Sequence, residues 1–380
     1  MPGVYISWPF CAQKCSYCNF ASGVYQAEQR RLYLQALRQE ISRSRWNWIP
    51  ETVYVGGGTP SLMTGVELAA VLGSIPGAPW KECTIEAAPG TLTPELVRCW
   101  KELGVNRVSF GVQSFVEKEL RQTGRKHNAE VVARDCNLLR QEGISNFNVD
   151  LIAGLPHQTP DSWAVSLEWI ARLAPPHVSV YMLEVDEDSR LGLEILGQGG
   201  RYGAGAVPND EAIVTFYLDA ARILQGQGIP RYEISNFARP GWESLHNLKY
   251  WRLEPYLGFG VDAHSCDGGV RWGNDDDLSR YLSAILAGDS PRTGVTPVRP
   301  LEELFLVGLR LDAGLEWNPC DYPPEAQQRV GRRVAQGLLK IEDGRLRFTE
   351  QGRLVSNEVF EDFLELDTAP SENAVPIAER

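Results

Sequence analysis

Three cysteines stand within eight residues near the start of the chain, Cys11, Cys15 and Cys18, in a C-x3-C-x2-C pattern. Thiols this close, in a chain with no secretion signal, more often hold metal than form disulfides, because reducing compartments keep them free. Zinc takes four ligands, and a zinc ribbon would repeat a Cys-x-x-Cys pair further on. No such pair follows. Three thiolates on one loop suit a four-iron, four-sulfur (4Fe-4S) cube, which leaves one iron open to a substrate or cofactor. The competing reading is three cysteines packed in a loop beside Trp8 and Phe10. Of the scattered cysteines, Cys83 and Cys99 fall in strand-like and helical segments and read as core. Cys266 and Cys320 show no partner in the sequence and default to structural roles.

Such a loop acts only if other elements bring partners to it. Apolar strand-like runs at residues 4–8, 52–55, 83–87, 107–112, 147–152 and 178–183 alternate with helical segments. Thr93-Pro94 and Thr159-Pro160 each supply an N-cap followed by proline at the first helical position. Ile213, Tyr217, Ala220 and Leu224 mark one face of a further helix. Six strand–helix units predict an α/β fold, a partial (β/α)6 barrel whose chemistry gathers at the C-terminal strand ends. The polar residues obey that rule. The cysteine loop follows the first strand, Gly56-Gly57-Gly58 the second, and Glu86 lies near the end of the third. Gln113 follows the fourth strand and Asp150 sits within the fifth.

Composition sets the remaining limits. The chain has 380 residues, and 37 Lys and Arg against 49 Asp and Glu give 37 − 49 = −12. That balance disfavours non-specific nucleic-acid binding, which needs a clustered basic surface. No apolar run reaches the ~20 residues of a membrane span, and the N-terminus lacks signal-peptide features. The expectation is a soluble, cytoplasmic protein. Residues 1–230 are expected to form the barrel, and 231–300 an aromatic, glycine-rich extension. Residues 301–365 read as a winged-helix-like α+β module of two helices and a hairpin around Asp343-Gly344. Arg329, Arg332 and Arg333 on its second helix raise a minority reading as a DNA-binding regulator. Residues 366–380 show little periodic structure and are expected to be disordered.

The motifs together resemble the radical S-adenosylmethionine (SAM) superfamily. Cys11, Cys15 and Cys18 are followed by Gly56-Gly57-Gly58-Thr59-Pro60-Ser61, Ser109-Phe110-Gly111-Val112-Gln113-Ser114-Phe115 and Asp150-Leu151-Ile152-Ala153-Gly154-Leu155-Pro156. Further on come Tyr232-Glu233-Ile234-Ser235-Asn236-Phe237 and Leu306-Val307-Gly308-Leu309-Arg310. The set is similar to the oxygen-independent coproporphyrinogen III oxidase-like branch over residues 3–365. The resemblance implies a cube on the three cysteines, with SAM chelating its fourth iron. It implies Tyr17 near the adenine, and close backbone approach to the methionyl group at Gly57, Gly58 and Thr59. Glu86, Tyr5, Gln113 and Arg125 would be polar contacts, and Asp150 would accept from the ribose. One-electron reduction of the cube would cleave SAM to methionine and a 5′-deoxyadenosyl radical.

Two features then divide the branch. The oxidases carry a fourth cysteine two positions after the third, where this chain has Phe20, and an N-terminal extension before the loop. Both departures resemble the heme-chaperone (HemW-type) subgroup. His246-Asn247-Leu248-Lys249-Tyr250-Trp251 fits its H-N-x-x-Y-W signature, which implies His246, Asn247, Tyr250 and Trp251 as heme contacts. An imidazole is the usual axial ligand for heme iron. His264 and Cys266 are rival ligands, as is His127, which follows the basic pair Arg125-Lys126. His157 and His177 read as structural. Ala88 and Asp262 depart from the family pattern, which commonly has a polar residue and a glycine there. The expected function is binding heme and handing it to an acceptor protein, with an electron donor serving the cluster. A cluster-dependent homodimer and peripheral contact with membrane-bound heme proteins belong to the same expectation. The alternative is oxidative decarboxylation of coproporphyrinogen III.

Overall fold

The computed structural model describes residues 1–366. It divides into two compact units. The first comprises Met1–Arg231, Ser235–His246 and Pro255–Thr296; the second comprises Tyr232–Ile234, Asn247–Glu254 and the chain from Pro297.

The first unit begins with β1 (Gly3–Trp8), α1 (Ala27–Arg43), β2 (Thr52–Gly57) and α2 (Gly65–Leu72). It continues through β3 (Glu82–Ala87), α3 (Pro94–Glu102), β4 (Arg107–Gln113), α4 (Glu117–Gln122) and α5 (Ala129–Gln141). Next come β5 (Asn146–Ala153), α6 (Pro160–Leu173), β6 (His177–Met182), α7 (Arg190–Leu196) and α8 (Asp210–Gly226). The expected caps form: Thr93 accepts from the Leu96 N–H and Thr159 from the Ser162 N–H, each with proline opening the helix. β1 to β6 pair in order and in parallel. Val4, Ile6, Val53, Val55, Ile85, Val108, Phe110, Val149, Leu151, Val178 and Val180 are fully buried beneath the helices. The alternate positions turn to the other face of the sheet and carry polar groups, among them Tyr54, Glu86, Ser109, Asn148 and Asp150.

The sheet runs well past the six expected strands. After β7 (Asn236–Ala238) and α9 (Leu245–Trp251) come β8 (Tyr256–Phe259), β9 (His264–Asp267), β10 (Val270–Asn274), α10 (Leu278–Ala287) and β11 (Arg292–Pro297). The order is β11-β10-β9-β8-β1-β2-β3-β4-β5-β6-β7. β7 closes antiparallel on β6, and β8 lies parallel to β1 on the far side. The segment 231–300 therefore does not fold apart. Most of it extends the first unit, while Tyr232–Ile234, Asn247–Glu254 and the residues from Pro297 belong to the second.

The second unit carries α11 (Pro300–Gly308), β12 (Leu315–Glu316), α12 (Pro324–Ala335), β13 (Leu339–Glu342), β14 (Arg345–Phe348), α13 (Glu350–Leu354) and α14 (Ser356–Glu361). Its small sheet has the order β12-β14-β13. Asp343 and Gly344 turn the hairpin with φ of 52° and 70°, as a two-residue type I′ turn requires. Phe305 stacks on Phe363 with ring centres 4.3 Å apart, in a core shared with Trp317, Leu346 and Phe348. The arginines of α12 are ion-paired: Arg329 pairs with Glu325, while Arg332 and Arg333 both reach Asp362. Pairing with these two carboxylates offsets most of the charge the helix could present to a phosphate backbone. The expected disordered tail lies outside the described residues, apart from Leu366. Among the described residues no helix is long and apolar enough to cross a membrane.

Candidate functional site

A cavity of about 700 Å³ opens at the C-terminal ends of the parallel strands. Cys11, Cys15, Cys18, Tyr17, Gly57, Gly58, Thr59, Glu86, Gln113, Arg125 and Asp150 all line it. Of the residues expected to hold the cluster and SAM, only Tyr5 stays out of the wall. Its ring stacks on Tyr54 instead, with centres 6.0 Å apart.

The cysteine loop is held from several sides. Ser16 N–H donates to the Thr123 carbonyl at 3.2 Å, Leu191 N–H to the Ser16 carbonyl at 2.9 Å, and Asn19 Nδ2 to Asp186 Oδ2 at 2.8 Å. The loop returns alongside its own start, with Cys11 N–H donating to the Gly23 carbonyl and Gly23 N–H to the Pro9 carbonyl, both at 2.8 Å. Burial pushes the Cys11 thiol up, while hydrogen bonds with the Thr59 and Ser22 side chains favour its thiolate. Ser22 Oγ also lies 4.0 Å from Cys18 Sγ. Hydrogen bonds to cluster sulfurs tune potential, so Ser22 belongs to the site although the sequence reading passed over it. Among the described residues no three His, Cys, Asp or Glu side chains close on a single-ion site. A cube asks for something else, since each thiolate takes a different iron.

The glycine run makes room for that loop. A Cβ on Gly58 would stand 2.9 Å from Cys11 Sγ, 2.8 Å from Pro9 C and 2.9 Å from Phe10 O. Gly57 has φ 108°, a region that side chains resist, and so aims its N–H at Glu86 Oε2, 3.0 Å away. Tyr54 OH donates to the other oxygen, Oε1, at 2.9 Å. Burial nevertheless pushes Glu86 up to about 7, and the nearby Asp150 adds to the rise. A cation set against this carboxylate would reverse that shift. Tyr54 is a second residue missed from sequence, where it reads as one apolar position of a strand.

Asp150 is oriented from both sides, by Asn148 Nδ2 on Oδ1 at 2.6 Å and Ser109 Oγ on Oδ2 at 3.4 Å. Asn148 in turn meets His177 Nδ1 at 2.7 Å. Gln113 has φ 71° at an irregularity in the β4–β5 register, a strained backbone that re-aims its side chain into the cavity. Arg125 donates through Nη1 to the Gly111 carbonyl at 2.8 Å and through Nη2 to Tyr17 OH at 3.4 Å. Its Nε is buried with no hydrogen-bond partner. Ala88 offers only backbone, its N–H donating to Ser61 Oγ at 3.1 Å. Phe20 lines the cavity and is 61% exposed.

The structure does not bring the H-N-x-x-Y-W motif into this cavity. His246 is 1% exposed, its Nδ1 is 2.9 Å from Thr52 Oγ1, and its ring lies 5.3 Å from that of Tyr54. Thr52 opens β2, so this imidazole sits at the opposite, N-terminal end of the strands. Glu82 holds the start of the helix there by accepting from the Leu245 and His246 N–H groups, each at 2.9 Å. In the second unit the Trp251 ring lies under the Arg310 guanidinium at 4.5 Å and beside Tyr250 at 6.4 Å. Asn247 shares that helix. His127 is buried against the Val112 carbonyl at 3.1 Å, and burial pushes it down to about 4. His264 differs: its side chain is 65% exposed.

The residues present fit a cube and SAM. Three thiols share one wall, glycines clear the approach, and an unpartnered guanidinium nitrogen and a partly buried carboxylate face the same space.

Comparison with known proteins agrees. The family model described as the Radical SAM superfamily matches residues 5–170. The chain is 36% identical to the heme chaperone HemW of Synechocystis over 90% of its own length and 85% of that protein's. It is 33% identical to the heme chaperone HemW of Bacillus subtilis, over 96% and 99% of the two chains. Among solved structures, coproporphyrinogen III oxidase (HemN) from Escherichia coli superposes with a TM-score of 0.82, covering 95% of this chain and 89% of that one. At 22% identity this last likeness concerns the fold alone.

Proposed function

Because the chain belongs to the radical SAM superfamily, and within it to the family of the heme chaperone HemW, we propose that it binds heme and passes it to an acceptor protein. The superfamily implies a 4Fe-4S cluster and SAM, and we assign the cluster to Cys11, Cys15 and Cys18. Bound there, the cluster would supply single electrons to SAM. The chain's own residues then divide the work. Glu86, held by Tyr54 and the Gly57 N–H, receives the methionyl ammonium. Arg125 offers its unpartnered Nε to a carboxylate. Tyr17 packs near the adenine, and Gln113 and Asp150 take the ribose side.

The observation that carries the reading is the length of the likeness to a heme chaperone, 33% identity over 96% of this chain and 99% of the relative. Phe20 supports it, exposed on the cavity wall where the oxidases would place a fourth cysteine. Heme contact through His246, Asn247, Tyr250 and Trp251 carries a condition: His246 is 1% exposed, so the groups that cover the imidazole must move before iron can reach it. Heme binding through His246 would then be gated and slower than diffusion. The protein is proposed to work in the cytoplasm, with an electron donor and a heme acceptor as partners.

Anaerobic incubation of reconstituted protein with coproporphyrinogen III, SAM and a reductant tests the reading. The expected result is SAM binding with no protoporphyrinogen formed. Turnover to protoporphyrinogen would overturn it in favour of an oxidase.

A further inference from the structure

Two of the expected site residues, Tyr5 and His246, stand outside the cavity wall, and both pack on Tyr54. Side chains alternate along a strand, so β2 presents Thr52, Tyr54 and Gly56 on one face of the sheet. Tyr5, the register partner of Tyr54 on β1, stacks on its ring with centres 6.0 Å apart and 25° between the planes. The His246 ring lies 5.3 Å from that of Tyr54 at 35°. The imidazole is itself fixed. Its Nδ1 is 2.9 Å from Thr52 Oγ1, two residues before Tyr54, and its backbone N–H donates to Glu82 Oε1 at 2.9 Å. Thr52 and Glu82 face each other in the β2–β3 register. His246 is therefore tied to both strands that carry Tyr54 and Glu86.

Tyr54 directs its hydroxyl at Glu86. The OH donates to Oε1 at 2.9 Å, and the Gly57 N–H donates to Oε2 at 3.0 Å. The two donors differ in what holds them. The amide is set by the backbone of β2, whereas the phenol stands at the end of a ring free to turn about two bonds. Its aim depends on what packs against that ring. Gly56 leaves the space that the contact needs: a Cβ there would stand 2.8 Å from Tyr54 Cε1 and 3.0 Å from Glu86 Oε1. Without the hydroxyl, a carboxylate that burial already pushes up to about 7 would be harder to ionise and less firmly aimed. Either change weakens its hold on an ammonium.

We infer that Tyr54 is a positioning residue for the SAM site, and that the buried His246 ring, with Tyr5, acts on SAM binding by keeping the phenol aimed at Glu86. The inference rests on Glu86 being the proposed contact of the methionyl ammonium. It gives the histidine of the H-N-x-x-Y-W motif a task that needs no heme.

Equilibrium dialysis of SAM against the cluster-reconstituted chain, with heme left out, tests the inference. Iron content and melting temperature are measured alongside. Tyr54→Phe keeps the ring and removes the donor; with the Gly57 donor still in place, Kd should rise about fivefold. His246→Asn keeps a polar group for Thr52 and removes the ring, and should weaken SAM about threefold. His246→Phe restores a ring and should stay within about twofold of wild type even if it melts lower. Because both residues act on one contact, the double variant Tyr54→Phe with His246→Asn should bind within about twofold of Tyr54→Phe, whereas independent effects would multiply to about fifteenfold. In a Glu86→Ala background, neither change should matter by more than about twofold. Wild-type affinity in Tyr54→Phe or in His246→Asn would overturn the inference. So would multiplied losses in the double variant, equal losses in His246→Asn and His246→Phe, or losses that persist in Glu86→Ala. Wild-type affinity in Glu86→Ala alone would remove the assignment of Glu86 itself, and the inference with it.

Discussion

Gly58→Ala is the sharpest perturbation of the cofactor wall. Its added Cβ would meet Pro9 C at 2.8 Å, Phe10 O at 2.9 Å and Cys11 Sγ at 2.9 Å. Two of these are backbone atoms, anchored by Gly58 N–H to the Trp8 carbonyl at 2.7 Å and Thr59 N–H to the Phe10 carbonyl at 2.9 Å. They cannot swing aside as the end of a side chain would. Overpacking of a tight site costs about 1–3 kcal/mol, and with backbone on two sides we expect the upper half of that range. The only contact free to yield is the Cys11 thiol, a proposed cluster ligand. The loss should therefore appear twice: as a melting temperature lower by a few degrees in the cluster-free protein, and as a marked fall in iron bound per chain after reconstitution. Gly200→Ala is the control, since a Cβ there meets nothing within 4 Å. It should change stability by no more than about 0.5 kcal/mol and leave iron content unchanged. Wild-type iron content and melting in Gly58→Ala would refute the reasoning.

Glu86→Gln keeps the shape and removes the charge, so SAM affinity measured by equilibrium dialysis should fall about 10- to 100-fold, the worth of a charged hydrogen bond; an unchanged Kd would remove Glu86 from the cofactor site. Glu40 accepts from Tyr281 OH at 2.7 Å, Gly260 N–H at 2.8 Å and Asn274 Nδ2 at 2.6 Å, yet burial pushes it from 4.5 up to about 7. The native state then holds a proton that the unfolded chain has released, so stability is greatest below the unfolded value and falls as pH rises toward 7, by up to about 3 kcal/mol. Urea midpoints across that range should decline, and less steeply in Glu40→Gln; midpoints that rise with pH would contradict the assignment. In the second unit, Asp362→Ala should lower stability by about 1 kcal/mol by releasing the largely buried Arg333 guanidinium and the exposed Arg332. Gel shifts with duplex DNA should show no salt-dependent complex, and a complex that weakens steeply with salt would revive the regulatory reading.

The barrel was legible because its units repeat a simple chemical pattern: β-branched runs, Thr-Pro helix starts, and polar residues at strand ends. The added strands were not. β9 reads His-Ser-Cys-Asp, without the alternation that marks a strand, and the hairpin of β9 and β10 joins the sheet only through β8, whose pairing with β1 is distant in sequence. The cofactor wall was legible residue by residue, but its supports were not. Ser22, Tyr54 and Asn148 have ordinary types for their segments and gain meaning only when the fold sets them against Cys11, Glu86 and Asp150. His246 shows the converse. An imidazole beside aromatic residues suggests a heme ligand, while its placement against Thr52 and Tyr54 depends on where β2 begins in space. Asp262 stands at a position that favours glycine, and its φ of 57° is a backbone conformation that glycine adopts freely.

The central claim, that this chain carries heme, is tested most directly by titrating the reconstituted protein with heme under anaerobic conditions and following the Soret band. The account predicts a saturable band shift distinct from free heme, formed with the cluster in place. A spectrum that remains that of free heme at every ratio would contradict it.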